Sequence, residues 1–166
     1  MITLYHGSNV EIEKIDLTLG QKNKDFGQGF YLTDIYEQAF EMAKRRVKII
    51  SLQDGNDNQC SPIVTRFSFD EQAFCDPTIK SKRFEGATAE WAEFIAKNRY
   101  ATKNGFIHDY DIVYGPVAND GVYDQLRRFI QGRITSNELA EELKYTNLNN
   151  QYYFGSEKAL DYLKKI

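Results

Sequence analysis

Two short stretches near the start of the chain carry the residues best suited to chemistry. Residues 4–8 read Leu-Tyr-His-Gly-Ser, and residues 25–33 read Asp-Phe-Gly-Gln-Gly-Phe-Tyr-Leu-Thr. The imidazole of His6 can hold a ribose hydroxyl, the ring of Tyr31 can stack on a flat group, and the backbone of Gly7 can pair with a carboxamide. With Ser8, these residues favour a concave site for a planar ligand that forms hydrogen bonds.

Other kinds of chemistry have little support. His6 and His108 are the only histidines and no acidic cluster has ligand spacing, so no metal site is expected. No Gly-x-Ser-x-Gly motif occurs, and neither Cys60 nor Cys75 has an obvious histidine partner, which argues against nucleophilic hydrolysis. A phosphate-binding loop is absent, and the Gly-Gln-Gly of residues 27–29 lacks the third glycine of the dinucleotide fingerprint.

Each candidate residue also has an ordinary structural interpretation. A single histidine at the end of a strand is more often structural, and a tyrosine beside a turn often packs in a core. The combination of His6, Gly7 and Ser8 with the later glycine loop favours the functional interpretation. The basic run at residues 44–46, Lys-Arg-Arg, is most simply a solvated helix face.

Composition restricts the class of protein. The 166 residues are 42% apolar and include 11 Tyr and 11 Phe, enough for one domain, residues 1–166, with a packed core. The formal net charge of -3 argues against an overall electrostatic footprint for nucleic acid or anionic membrane. No run of 18 apolar residues and no secretory signal is visible, and two cysteines are too few for a disulfide framework. We therefore expect a cytoplasmic protein without a membrane partner.

Strands and helices are predicted to follow one another along the chain, so the expected fold class is α+β. Strands are predicted at 2–5, 30–32, 62–69, 111–118 and 151–154. Helices are predicted at 36–50, at 89–101, between 121 and 132, after a capping box at 135–138, and after 156 with Leu163 facing inward. The buried face of the first helix is predicted to consist of Tyr36, Ala39, Phe40, Ala43 and Val47.

Taken together, the two stretches resemble the His and Tyr motifs of ADP-ribosyltransferases. More narrowly, the chain is similar to the small bacterial family catalogued as domain of unknown function DUF3990, whose members are placed in the ADP-ribosyltransferase superfamily. The resemblance covers nearly the whole chain and is carried by residues 4–8, 25–33, 38–39, 109–120 and 151–154. The motif at 25–33 is fairly specific, whereas His-Gly-Ser alone is weak.

The resemblance implies an ADP-ribosyltransferase-like split β-sandwich, in which two small antiparallel sheets are flanked by helices and NAD lies in the cleft between them. It also implies roles for single residues. His6 would hold the nicotinamide-side ribose, Gly7 would pair with the carboxamide, and Tyr31 would stack on the nicotinamide. Ser8 and Thr33 are assigned to NAD binding as well, and no metal takes part.

The third motif of the superfamily is commonly a glutamate at the start of a late strand, and its best match here is Gln151. An amide can accept the ribose 2′-hydroxyl through its oxygen, but it carries no charge, so we do not expect polymers to form. Gln151 is also interpretable as a polar residue at a strand edge. Asp120 is the other carboxylate of interest, although its simplest role is a helix N-cap.

The resemblance therefore implies an NAD-dependent mono-ADP-ribosyltransferase, which transfers ADP-ribose from NAD to a macromolecular acceptor, a protein or a nucleic acid, and releases nicotinamide. Some relatives lie beside small partner genes, which implies the toxin of a bacterial toxin–antitoxin module with a small antitoxin protein as partner. Two alternatives stay open. One is an NAD glycohydrolase, with water as the acceptor, and the other is a catalytically weak module that binds NAD or ADP-ribose.

Overall fold

The structure is a computed structural model that describes residues 1–54, 60–99, 108–118, 123–143 and 149–166. In these residues the chain forms two small β-sheets and five α-helices, so the expected α+β class is confirmed. The strands are β1 (Ile2–Ser8), β2 (Phe30–Leu32), β3 (Ile63–Phe69), β4 (Ser81–Arg83), β5 (Ile112–Pro116), β6 (Asn150–Phe154) and β7 (Leu163–Lys165). The helices are α1 (Tyr36–Asp54), α2 (Ala89–Arg99), α3 (Tyr123–Ile130), α4 (Ser136–Leu143) and α5 (Glu157–Leu160).

Three strands form an antiparallel sheet in the order β1-β3-β7. The strand predicted at 62–69 is confirmed as β3, and its alternate residues Thr65, Phe67 and Phe69 are all buried on one face. β1 pairs with β3 along its whole length. The hydrogen-bonding groups on the opposite edge of β1 therefore remain for the second sheet.

The end of the chain differs from its predicted structure. Ser156 caps α5 by accepting a hydrogen bond from the Ala159 N–H at 3.3 Å, but the helix ends at Leu160. Leu163 was expected on this helix and instead lies in β7, opposite Phe69, so that prediction is wrong. The exposed edge of β3 needs partners for its backbone groups, and this need outweighs the weak helical pattern of a short segment.

The second sheet has four strands in the order β2-β6-β5-β4. β6 is antiparallel to both of its neighbours, whereas β4 is parallel to β5. The expectation of two antiparallel sheets is therefore wrong at this edge. The connection explains the difference, because the chain returns from β4 to β5 by way of α2, and a helical crossover permits parallel pairing.

The four-stranded sheet is covered on both faces. One face packs on the three-stranded sheet through an inter-sheet core that includes Leu4, Phe30, Leu32, Phe67, Phe69, Ile112 and Phe154. The other face packs on α2, α3 and α4 through a helix-side core that includes Phe26, Trp91, Ile95, Val113, Leu126, Leu139 and Tyr153. Successive residues of β2 face different cores, so Tyr31 faces the helix side while its neighbours face the other sheet.

Helix α1 packs on β1 through small side chains. Ala39 and Ala43 are buried as predicted, but Tyr36 is 48% exposed, so its predicted place on the buried face is wrong. Its ring contacts Tyr5 edge-on instead, with the ring centroids 5.5 Å apart. The small residues are required because the backbone of α1 passes directly over Gly7.

The capping box before α4 is confirmed. The Glu138 carboxylate accepts from the Thr135 N–H at 2.7 Å, and the Thr135 hydroxyl accepts from the Glu138 N–H at 3.2 Å. In the described part of the chain, no helix has both the length and the apolar character needed to cross a membrane. Two predicted features lie outside the described residues: the N-cap role of Asp120, and the last two residues of the helix predicted at 89–101.

Candidate functional site

The two sheets meet where β1 approaches the end of β2. The Tyr5 N–H donates to the Thr33 carbonyl at 2.7 Å, and the Thr33 N–H donates to the Tyr5 carbonyl at 3.1 Å. If this antiparallel ladder continued, Gly7 would pair with Tyr31, but the bridge is isolated and no such pair forms. The strands therefore part between Gly7 and Tyr31, and we call this opening the split.

The split is lined by backbone hydrogen-bonding groups. In an antiparallel ladder, alternate residues direct both backbone groups to the same edge of the strand. Because the backbone groups of Tyr5 bond to Thr33, just beyond β2, rather than to β3, the N–H and C=O of Gly7 point to the same side, into the split. By the same alternation from Thr33, the N–H and C=O of Tyr31 point into the split from the other side.

His6 closes one end of the split with its side chain. Its Nδ1 lies 2.9 Å from the Tyr31 carbonyl oxygen, and since a carbonyl can only accept, Nδ1 carries the proton. The ring stacks on Phe30, with the centroids 4.6 Å apart. Burial lowers the pKa of His6, and this effect outweighs the opposite effect of the bond to Tyr31. The imidazole is therefore neutral, and its Nε2 is a hydrogen-bond acceptor.

The lowered histidine pKa values predict an effect of pH on stability. Burial lowers the pKa of both His6 and His108, so the unfolded chain binds protons more readily than the folded protein. The free energy of unfolding is expected to be greatest above pH 6.5, the ordinary value, and to fall as the pH drops below it. Urea denaturation at pH 7.5 and 5.5 measures the change, and His6→Asn should reduce it. An equal fall in His6→Asn and wild-type protein would contradict the assignment to His6.

The hydroxyl of Tyr31 is held by the glycine loop. It donates to the Gly27 carbonyl at 2.6 Å and accepts from the Phe26 N–H at 3.1 Å. Gly27 has a φ of +87°, which only glycine adopts without strain, so the loop needs glycine there. Burial raises the pKa of the Tyr31 hydroxyl, and the charge of Asp25 acts in the same direction. The phenol stays protonated and its ring is held in one orientation.

Replacing Tyr31 by phenylalanine is expected to lower the free energy of unfolding by about 1.5 kcal/mol, because two backbone groups of the loop lose their partner. Urea denaturation measures the change. Tyr36→Phe is the control, since this tyrosine is half-exposed, and its effect should stay below about 0.5 kcal/mol. Equal effects of the two substitutions would show that the Tyr31 hydroxyl does not hold the loop.

Ser8 and Thr33 lie beside the split in different ways. Ser8 is the last residue of β1, and its hydroxyl has a long contact of 3.5 Å with the Asn9 side chain. The Thr33 hydroxyl donates to the Gln38 side chain at 2.8 Å and accepts from the Ile35 N–H at 3.2 Å. The side chain of Thr33 therefore stabilises the turn before α1, while its backbone forms the bridge to β1.

Gln151 lies on the same face of the four-stranded sheet as Tyr31. It precedes Tyr153 by two residues in β6, and Tyr153 is directly opposite Tyr31. The amide nitrogen of Gln151 donates to Asp25 Oδ2 at 3.3 Å. The predicted site residues therefore form two groups. His6 contacts the backbone carbonyl of Tyr31, whereas Gln151 lies on the helix side of the sheet and contacts Asp25.

Two residues at the site were not identified from the sequence as contributing to it: Asp25 as an ion-pair partner, and Arg99. Arg99 Nε donates to Asp25 Oδ1 at 2.6 Å, and the Ala118 N–H donates to Asp25 Oδ2 at 2.9 Å. Arg99 is 74 residues from Asp25, so no local spacing connects them. The sequence contains one signal for the role of Asp25, which is that this carboxylate directly precedes Phe26 at the start of the glycine loop. Among the described residues, no group of three or more His, Cys, Asp or Glu is placed to hold a metal ion.

Fold and site together define an α+β protein whose two small sheets part beside a histidine, a glycine and a tyrosine. The model of a family described as a protein of unknown function, DUF3990, matches residues 2–165. The chain therefore belongs to the DUF3990 family, as its motifs predict. A search of curated proteins found no match, and neither did a search of solved structures.

Proposed function

We propose that this protein is an NAD-dependent mono-ADP-ribosyltransferase with a split β-sandwich fold. The observation that carries the proposal is the split, where the backbone groups of Gly7 and the N–H of Tyr31 lie beside the neutral imidazole of His6. A carboxamide needs one donor and one acceptor, and a ribose hydroxyl needs an acceptor. The split offers all of these within a few residues, which is the set that the nicotinamide half of NAD requires.

Each residue of the split has one role in this proposal. The N–H of Gly7 donates to the carboxamide oxygen, and its C=O accepts from the carboxamide nitrogen. Nε2 of His6 accepts from the ribose hydroxyl, because Nδ1 is already bonded to the Tyr31 carbonyl. The ring of Tyr31, fixed at its hydroxyl, stacks on the nicotinamide. Ser8 adds a hydrogen bond, and Thr33 contributes by holding β1 to β2.

The reaction breaks the bond between ribose C1′ and the nicotinamide nitrogen, and the electron pair leaves with neutral nicotinamide. A nucleophile on the acceptor forms the new bond to C1′ and loses a proton to solvent. The work of the site is to orient the ribose and to expose one face of C1′. Gln151 holds the 2′-hydroxyl through its amide oxygen and has no charge to activate a sugar hydroxyl as acceptor, which favours a single transfer.

The biological role that we propose is that of a toxin in a bacterial toxin–antitoxin module, with a small antitoxin protein as partner. This part rests on the resemblance of the motifs alone. Expression of the chain in bacteria tests it, because a toxin of this class should arrest growth in the wild-type form and not as His6→Ala. Normal growth at high wild-type expression would refute the toxin role while leaving the transferase proposal intact.

The decisive test is nicotinamide release from labelled NAD by the purified protein, alone and with a cell lysate. The transferase proposal predicts release, together with label on a lysate component, and the loss of both in His6→Ala. Gln131→Ala, an exposed substitution outside the site, is the control and should release nicotinamide at the wild-type rate. Equal release by wild-type and His6→Ala protein would overturn the assignment of the site.

The same experiment, together with a measurement of NAD binding to the purified protein, separates the two alternatives. Nicotinamide release with free ADP-ribose and no labelled component would identify an NAD glycohydrolase. NAD binding without release would identify a catalytically weak binding module. Absence of both binding and release would refute the proposal for this site.

A further inference from the structure

The side chain of Asp25 lies at the centre of a buried polar cluster. Its carboxylate is 6% exposed and is shared by three donors from different parts of the chain. Arg99 of α2 donates to Oδ1 at 2.6 Å, while Oδ2 accepts from the Ala118 N–H at 2.9 Å and from the Gln151 amide at 3.3 Å. Arg99 also donates to the Ala118 carbonyl at 2.6 Å, so the cluster is a closed network.

This network determines how Gln151 presents its amide. The nitrogen end donates to Asp25, which can only accept, so the two ends of the amide are not interchangeable. Within the part of the chain that the structure describes, no donor bonds to the oxygen end, so this oxygen is the acceptor that we assign to a ligand. Asp25 also directly precedes Phe26 and Gly27, the residues that hold the Tyr31 hydroxyl.

We propose that Asp25 is a positioning residue that orients the amide of Gln151. We also propose that the site accommodates only one carboxylate, which is that of Asp25. Position 151 is therefore glutamine because Asp25 requires an uncharged partner there. It differs for this reason from the glutamate that is common at the third motif of the ADP-ribosyltransferases that the motifs resemble. The loss of stability expected from a second carboxylate follows from the structure alone. The role of the oriented amide toward a ribose hydroxyl rests on the proposed function.

The physical reason is charge balance in a buried place. Gln151→Glu would put two carboxylates about as close as the present amide and carboxylate, with Arg99 as the one cation in the described cluster. Like charges at that distance cannot both ionise without a large penalty. Asp25→Asn combined with Gln151→Glu restores one carboxylate and one amide, with their positions exchanged.

A double-mutant cycle on thermal stability tests the charge balance without any need for NAD. Asp25→Asn and Gln151→Glu should each lower Tm by about 5 °C or more, and the double variant should lose clearly less than the sum and stay above Gln151→Glu. Gln131→Glu, the same change at an exposed site, should leave Tm unchanged. Additive losses, or a Gln151→Glu protein as stable as wild type, would overturn the proposal.

The positioning role is tested on NAD. In Asp25→Asn the amide of Gln151 loses its fixed orientation, so the KM for NAD should rise about tenfold, the loss expected for one hydrogen bond. Glu138→Ala removes the capping box of α4 and lowers stability away from the site, so it should leave KM unchanged. An equal rise of KM in Asp25→Asn and Glu138→Ala would show that Asp25 only stabilises the fold and does not position Gln151. If the wild-type protein neither binds nor turns over NAD, the proposed function fails, whereas the stability cycle still decides the coupling of Asp25 with Gln151.

Discussion

Replacing Gly7 by alanine should lower the free energy of unfolding by about 3 kcal/mol, the upper end of the usual cost of overpacking a core. A Cβ at this position would lie 1.8 Å from the carbonyl oxygen of Ala39 and 2.9 Å from the backbone nitrogen of Ala43. Both atoms belong to the backbone of α1, which cannot move aside like a side chain. Relief therefore requires α1 to shift away from β1, and urea denaturation measures the cost.

Gly132→Ala is the matched control for this substitution. A Cβ at Gly132 meets no atom within 4 Å, but the residue has a φ of +68°. Alanine there should cost about 1 kcal/mol through backbone strain alone. If Gly7→Ala is no more destabilising than Gly132→Ala, the close approach of α1 to β1 is wrong.

His6→Asn should lower the rate of nicotinamide release by about 100-fold, the loss expected when one hydrogen bond aimed at the reacting centre is removed. The asparagine amide nitrogen can take the place of Nδ1 and still donate to the Tyr31 carbonyl. It offers nothing in place of Nε2, the acceptor that we assign to the ribose. Stability should therefore change much less than activity, as measured by urea denaturation and by the release assay on one preparation.

His6→Ala is the variant to compare with His6→Asn, because the comparison separates the roles of the two imidazole nitrogens. It removes both hydrogen-bonding groups and the stacking on Phe30, so it should lower stability as well as activity. His6→Asn with wild-type activity would show that Nε2 has no part in the reaction. His6→Asn as unstable as His6→Ala would show that the bond from Nδ1 to Tyr31 is not what holds the ring.

Much of the fold could be predicted because its signals are local. The strand predicted at 62–69 and the helix predicted at 89–101 are both present, as β3 and α2. The alternate burial along β3, and the burial of Trp91 and Ile95 on one face of α2, are properties of single segments. The capping box of Thr135 and Glu138 is likewise contained in four residues. These features were found because each segment determines its own hydrogen bonds or its own buried face.

The features that were missed depend on partners far away in the sequence. β4 and β7 have three residues each, too few for a pattern, and they form because β5 and β3 offer unpaired edges. The ion pair of Asp25 with Arg99 joins a loop to α2 across 74 residues. The order and direction of strands at the sheet edges are likewise decided by packing, which single-segment patterns do not contain.

In the candidate site, too, the residue types could be predicted from local motifs, whereas features that depend on distant partners could not. The motifs identified His6, Gly7 and Tyr31 by residue type, and their neighbourhood could be expected from the resemblance. The protonation state of His6 and the direction of the open backbone groups could not, because both depend on where β1 and β2 separate. Thr33 illustrates this limit, since its side chain turns toward α1 and its backbone joins the two strands.

The bridge between Tyr5 and Thr33 also determines which amides report on the split. Among the described residues it is the one backbone link between the two sheets, and it consists of two hydrogen bonds. The amide protons of Tyr5 and Thr33 are therefore protected from exchange with solvent by a local contact, whereas those of Leu4 and His6 are protected by the ladder with β3. A ligand that occupies the split should slow exchange at the Gly7 amide by direct contact, and at Tyr5 and Thr33 by stabilising the bridge, so the Tyr5 and Thr33 amides report binding through the strand contact they share.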